Sequence, residues 1–173
     1  MENESLKKEL AAIRISAMNI LAGREHSIDE LRQKLKRKLK CKSIQRNTSN
    51  DDNHLSDIEQ LELNIEILLE QLVDDNLLNE ARFAECFIRS RINKGSGPVK
   101  IRHELTKRGI SSELTDVYLE SSYEFWETYI EAVRSKRFGK QFPNDYKEQS
   151  KQSRFLYQRG FSGELIQRLF NEL

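Results

Sequence analysis

The tetrapeptide Arg108-Gly109-Ile110-Ser111 recurs 51 positions later as Arg159-Gly160-Phe161-Ser162, and Leu105 ahead of the first is matched by Leu156 ahead of the second. Recurrence at a fixed spacing restricts a chain to architectures built by stacking one small unit, since a single copy is too short to bury its own apolar face. The middle copy reads most clearly. "NEARFAECFIRSRIN" sets Phe83, Phe87 and Ile88 on one helical stripe with Asn79 able to cap its start. "KGSGP" ends that helix and opens the next, with Pro98 at a first-turn position where its missing N–H costs nothing. Ile101 and Leu105 face inward on the second helix. Gly109 then suits a left-handed C-terminal cap, and Ser111 caps a third helix whose stripe is Leu114, Val117 and Tyr118.

The third copy opens with "SYEFWETYIEAVRSKRFG", where Phe125, Tyr129 and Val133 fall a turn apart. The first copy contains Leu31 and Leu35 in the places of Ile101 and Leu105, and Ser27 with Glu30 three residues on forms a capping box. After Lys38 this copy departs from the others: no glycine follows, and a polar stretch reads as a mobile loop before a helix from Ile58 to Val73 carrying Ile58, Leu61, Ile65, Leu68 and Leu72. Glycine and proline are scarce and no alternating β-branched run occurs, so the expected fold class is all-α. The expected architecture is an elongated array, able to curve, of three tandem three-helix repeats. The repeats span residues 1–76 (with a polar insert at about 41–57), 77–121 and 122–173.

The two glycines of Gly95-Ser96-Gly97-Pro98 raise the question of a phosphate cradle. Such a loop follows a strand and, in the Walker type, carries a lysine and a hydroxyl after its glycines. This one follows a helix, lacks that lysine, and is replaced by "GREHS" in the first copy. Chain reversal is the expected role.

The net charge is only +1, but the charges fall in blocks. Residues 24–46 hold nine basic side chains against three acidic, residues 81–110 eight against two, and residues 132–161 eight against two. Between them, residues 47–80 hold ten acidic and no basic side chain, and residues 111–131 six and none. Basic blocks fall on the first and second helices of each unit, acidic ones on the third helix and the connection onward. Opposite charges can pair between neighbouring helices, but three similar basic concentrations fit a binding surface for a phosphate backbone or an acidic protein. Phe83, Phe87, Phe155 and Tyr157 lie in these blocks and could stack bases, although their helical spacing fits core packing better. No side-chain set is organised to read base edges, so nucleic-acid contacts would be sequence-independent and salt-sensitive.

Other classes find little support. No apolar run reaches membrane-spanning length, and the first residues mix acidic with basic side chains, unlike a secretory signal, so a cytoplasmic protein is expected. Cys41 and Cys86 are far apart, and Cys86, flanked by aromatics, reads as a small buried hydrophobe. His26, His54 and His103 are scattered, and Asp51, Asp52, Asp57, Asp74 and Asp75 lack a partnered base. No cofactor, metal site or catalytic group is expected.

"GREHSIDELRQKL" at 23–35, "LLNEARFAECFIRSRINKGSGPVKIRHELTKRGI" at 77–110 and "KQSRFLYQRGFS" at 151–162 resemble the RecX family of bacterial recombination regulators. With the tandem helical order, the resemblance spans nearly the whole chain. Its most specific part is RFA, a basic helix, a G-x-G turn and I-x-x-x-L-x-x-x-GI; the acidic insert and missing glycine of the first copy depart from it. The resemblance implies a monomeric, non-enzymatic modulator of RecA, connected with homologous recombination, DNA repair and the SOS response. It would lodge in the groove of the RecA filament on single- or double-stranded DNA, hinder filament growth and depress ATPase, strand-exchange and coprotease activity. Carried over residue by residue, it implies a RecA- and DNA-binding face of Arg24, His26, Arg82, Arg91, Lys100, Arg102, Arg108, Lys151, Arg154 and Arg159. The alternatives are a sequence-independent DNA-binding or architectural protein acting without RecA, narrowly a helix-turn-helix regulator, and a scaffold whose basic faces pair internally with its acidic helices.

Overall fold

The computed structural model describes residues 2–46, 54–119 and 123–171. Among them lie nine α-helices and no strand. In chain order they are α1 (Glu2–Leu21), α2 (Ile28–Arg46), α3 (His54–Asp74), α4 (Glu80–Asn93), α5 (Pro98–Thr106), α6 (Ser112–Leu119), α7 (Tyr123–Phe138), α8 (Tyr146–Arg159) and α9 (Gly163–Asn171). They pack into two compact units, residues 1–83 and 84–173.

In the first unit, Ile13 and Ala17 of α1, Leu31 and Leu35 of α2, and Ile65, Leu68, Leu69 and Leu72 of α3 form one core, joined by Leu78. Burying a side chain of this size contributes roughly 1.5–3 kcal/mol, which makes these stripes the main source of cohesion. Ser27 Oγ accepts the Glu30 amide at 3.1 Å, while the Glu30 carboxylate takes the Arg24 guanidinium at 2.9 Å. Helix occupies both ends of the stretch read as a mobile insert, since α2 continues to Arg46 and α3 already begins at His54. The lysines, arginine and glutamine past Lys38 are good helix formers, which explains the continuation. The middle of that stretch, residues 47–53, lies outside the described residues.

In the second unit, the expected Ser111 cap occurs, and two further caps join it, where their side chains can satisfy orphan amides. Ser111 Oγ accepts the Leu114 amide at 3.2 Å, and Asp145 and Ser162 do the same for Glu148 and Leu165. Ile101, Leu105 and Leu156 are fully buried, as their repeat positions imply.

Two stripes and two single residues lie differently from expectation. Thr115 and Leu119 face inward on α6, and Val117 is 74% exposed. On α7 the buried positions are Trp126, Ile130 and Arg134, one residue on from the expected Phe125, Tyr129 and Val133. Tyr157 is exposed because its neighbour Leu156 holds the inward position, about 100° round the helix. Cys86 is likewise exposed: Phe83, Ala84 and Ile88 take the core face of α4 and leave it on the other side.

Candidate functional site

The glycine turn between α4 and α5 spends its amides on chain reversal. Gly95 N–H donates to Ile92 O at 2.8 Å and Ser96 N–H to Arg91 O at 3.0 Å. Gly97 N–H and Val99 N–H leave the turn and donate to Arg159 O and Gly160 O, at 2.8 and 3.0 Å. The start of α5 is thus joined backbone to backbone to the end of α8, and no amide fan remains for a phosphate. This contact requires glycine on both sides. A Cβ on Gly97 would lie 2.6 Å from Phe161 N, and one on Gly160 would lie 2.7 Å from Lys100 N.

A groove of ≈ 550 Å³ opens beside this junction, between the end of α4 with its turn, α7 and α8. Ile92, Ala132, Val133 and Phe155 give it an apolar lining, and its charged lining residues are all basic: Lys94, Lys136, Arg137 and Arg159. Arg159 donates to Lys94 O at 2.8 Å and lies 5.1 Å from the Phe155 ring centroid. Tyr129 OH donates to Ile92 O, which fixes the α7 side of the groove against α4.

The ten side chains implied by the resemblance fall into three kinds. Five are held by neighbours within the fold. Arg82 donates from Nε to Glu25 at 3.1 Å and from both Nη atoms to Asn76 O at 3.0 Å, clamping the turn before α4. Arg91 pairs with Glu104 at 2.6 Å, and Arg102, although exposed, pairs with Asp116. Arg108 donates to Glu104 O at 2.6 Å, and Arg91 and Arg108 lie 4.7 and 4.6 Å from the Phe87 ring centroid. His26 is buried, with Nδ1 2.9 Å from Arg24 O and Nε2 2.7 Å from Lys34 Nζ. Because an ammonium only donates, Nε2 accepts and Nδ1–H donates, which is the neutral imidazole. Burial, helped by the charges of Arg24 and Lys34, holds its pKa below the ordinary 6.5.

A second kind is engaged but still reaches solvent: Arg24 on Glu30 and Glu25 O, Lys151 on Glu148 at 3.3 Å, and Arg159 at the groove. Exposed pairs of this sort hold their partners weakly and exchange them readily. Lys100 and Arg154 make up the third kind, exposed and without an ion pair or side-chain hydrogen bond among the described residues.

Lys94, Lys107, Lys136, Arg137, Lys140 and Lys147 are also exposed and unpaired among the described residues, and none was singled out from sequence. All six lay in the basic blocks; family resemblance selected the motif positions, which turn out to include structural ones. Arg134 is the opposite case. It is fully buried, stacks on Phe142 at 3.9 Å, and donates to Lys140 O and Gln141 O at 3.0 Å, so it organises the α7–α8 connection and adds nothing to the surface.

Internal pairing of basic with acidic blocks does occur, as Arg32 on Glu66 and Lys36 on Glu62 between α2 and α3. The eight unpaired cations of the second unit stand outside it. Tyr146 and Tyr157, 84% and 70% exposed, flank Lys147, Lys151 and Arg154 on α8.

Comparison with known proteins agrees with this geometry. Residues 79–119 match the family model "RecX, second three-helix domain", and residues 127–170 match "RecX, third three-helix domain". A "Regulatory protein RecX" of Halorhodospira halophila is 37% identical over 155 residues, covering 90% of this chain and 84% of its own. Another, of Pseudomonas entomophila, is 38% identical over 160 residues, covering 92% and 90%. The crystal structure of RecX from Lactobacillus salivarius shares the fold with a TM-score of 0.70 at 22% identity, covering 96% of this chain and 97% of that one. No helix among the described residues is long and apolar enough to cross a membrane. With its second and third three-helix domains matched and curated relatives matched over most of their length, the chain belongs to the RecX family of regulatory proteins.

Proposed function

We propose that the protein is a non-enzymatic inhibitor of RecA that binds the groove of the RecA–DNA filament, limits filament growth and lowers ATPase, strand-exchange and coprotease activity. Family membership supports the regulatory role. The observation that carries a binding mechanism is the set of cations on the second unit that are unpaired among the described residues: Lys100 on α5 and Lys107 at its C-terminal cap, Lys147 and Arg154 on α8, and Lys94, Lys136 and Arg137 around the groove. Unpaired surface cations meet phosphates or carboxylates without first breaking an internal pair, so their contacts add affinity and speed encounter. Each contact is weak alone. Several made together on a filament of repeating sites accumulate. DNA, single- or double-stranded, is met through its backbone without sequence preference, in the cytoplasm and by a monomer. The test is RecA's single-stranded-DNA-dependent ATP hydrolysis with the protein well below the RecA concentration: inhibition supports the reading, and unchanged hydrolysis contradicts it.

The exposed Tyr146 and Tyr157 beside Lys147, Lys151 and Arg154 favour a second reading, a sequence-independent DNA-binding or architectural protein acting without RecA. Aromatic faces interleaved with cations suit stacked single-stranded bases. This reading requires binding to bare DNA that falls steeply with salt.

A further inference from the structure

We infer that the groove between α4, α7 and α8 is a receptor for an acidic peptide segment that carries one apolar side chain. The apolar lining formed by Ile92, Ala132, Val133 and Phe155 offers a seat for a leucine- or phenylalanine-sized group, and the cations Lys94, Lys136, Arg137 and Arg159 suit carboxylates flanking it. Sites that combine apolar walls with a few placed charges take ligands that match both features.

The end of a helix ordinarily repels anions through its free carbonyls. Here three of those of α4 and its turn are covered: Arg91 O accepts from Ser96 N–H, Ile92 O from Gly95 N–H and Tyr129 OH, and Lys94 O from Arg159. The side chains of Lys94, Lys136 and Arg137 have no partner of their own among the described residues.

A nucleic acid fits less well. Its backbone would use the cations and leave the apolar lining empty, and a base turned inward would have to compete with Arg159 for stacking on Phe155. The Arg159 guanidinium lies 5.1 Å from that ring's centroid, and the Phe138 ring meets it edge to face at 5.3 Å. The inference goes beyond the proposed function, because it does not depend on which protein supplies the segment.

The experiment uses the full chain without RecA and a fluorescein-labelled peptide of aspartates and glutamates around a central leucine, followed by anisotropy. Saturable binding is expected, weakened about tenfold or more by Lys136→Glu with Arg137→Glu. It should also be weakened by Ala132→Trp, which fills the groove from an exposed position, and by serine in place of the peptide's leucine. Circular dichroism checks that both variants keep their helices. No saturable binding, or binding unchanged by both variants, overturns the inference. So does an oligonucleotide that displaces the peptide and shows the same loss on the variants, which would make nucleic acid the occupant. Because no RecA is present, failure here leaves the filament reading untouched, and failure of the ATPase test leaves this one untouched.

Discussion

The Gly97 amide donates to the Arg159 carbonyl at 2.8 Å, and so the turn that reverses the chain in one repeat also closes on the helix end of the next. No side chain mediates this contact. Gly97→Ala and Gly160→Ala each thrust a Cβ into facing backbone or the Lys100 stem, and each is expected to cost about 2–3 kcal/mol. Gly160 adds a penalty from its φ of +90°. Gly163→Ala, whose new Cβ would meet nothing within 4 Å, is the neutral control. Urea denaturation of the three variants checks the ranking.

Arg134 holds the α7–α8 connection from inside the second unit. Its burial pulls the guanidinium pKa down from its ordinary value against the opposing charge of Glu131, while Nη1 and Nη2 donate to Lys140, Gln141 and Gln152 oxygens and the guanidinium stacks on the Phe142 ring. Arg134→Ala leaves those acceptors unmatched and a cavity behind, with an expected loss of about 3 kcal/mol. Limited proteolysis should then cut the α7–α8 connection faster than in the parent chain.

His26 gives the first unit a pH-dependent stability. Its folded-state pKa is depressed, so between that value and 6.5 the unfolded chain binds more protons. The stability due to neutral His26 is present above about pH 6.5 and is lost as pH falls through the folded pKa, by at most about 1.4 kcal/mol per pH unit. Of the neighbouring charges, Arg24 and Lys34 deepen the depression and Glu30 opposes it. Glu80 acts in the other direction at lower pH, since burial and Asp29 raise its pKa. The comparison that isolates His26 is therefore the parent chain against His26→Gln, melted across pH 5 to 8: the parent's advantage should shrink toward acid.

The exposed cations should behave as a set. Lys100→Glu with Arg154→Glu removes two unpaired charges and is expected to weaken DNA or filament binding about tenfold or more while lowering its salt dependence. Arg102→Ala breaks only the exposed pair with Asp116, and is expected to change affinity little. Binding measured at two salt concentrations distinguishes the two.

The repeat, the caps and the inward leucines were legible because each follows from local chemistry: Ser111 beside an orphan amide, Leu105 and Leu156 at matching positions. The α6 and α7 stripes were misread for one shared reason. Thr115 and Arg134 face inward, and an apolar pattern cannot count a polar residue as core unless its partners are known, here Ser111 O for the threonine and the Lys140 and Gln141 carbonyls for the arginine. The candidate site was legible as charge blocks but not as side chains. Arg82 and Arg137 have the same chemistry in sequence; Asn76 and Glu25, brought together by folding, make the first internal, while the second stays at the groove.

The central claim is that this protein restrains RecA on DNA. The most direct measurement is RecA's single-stranded-DNA-dependent ATPase, with RecA from the same organism and this protein titrated well below it, for the parent chain and for Lys100→Glu with Arg154→Glu. The account expects inhibition at those ratios by the parent and a markedly weaker effect from the variant. Full ATPase activity with the parent, alongside salt-sensitive binding to bare DNA, would contradict it.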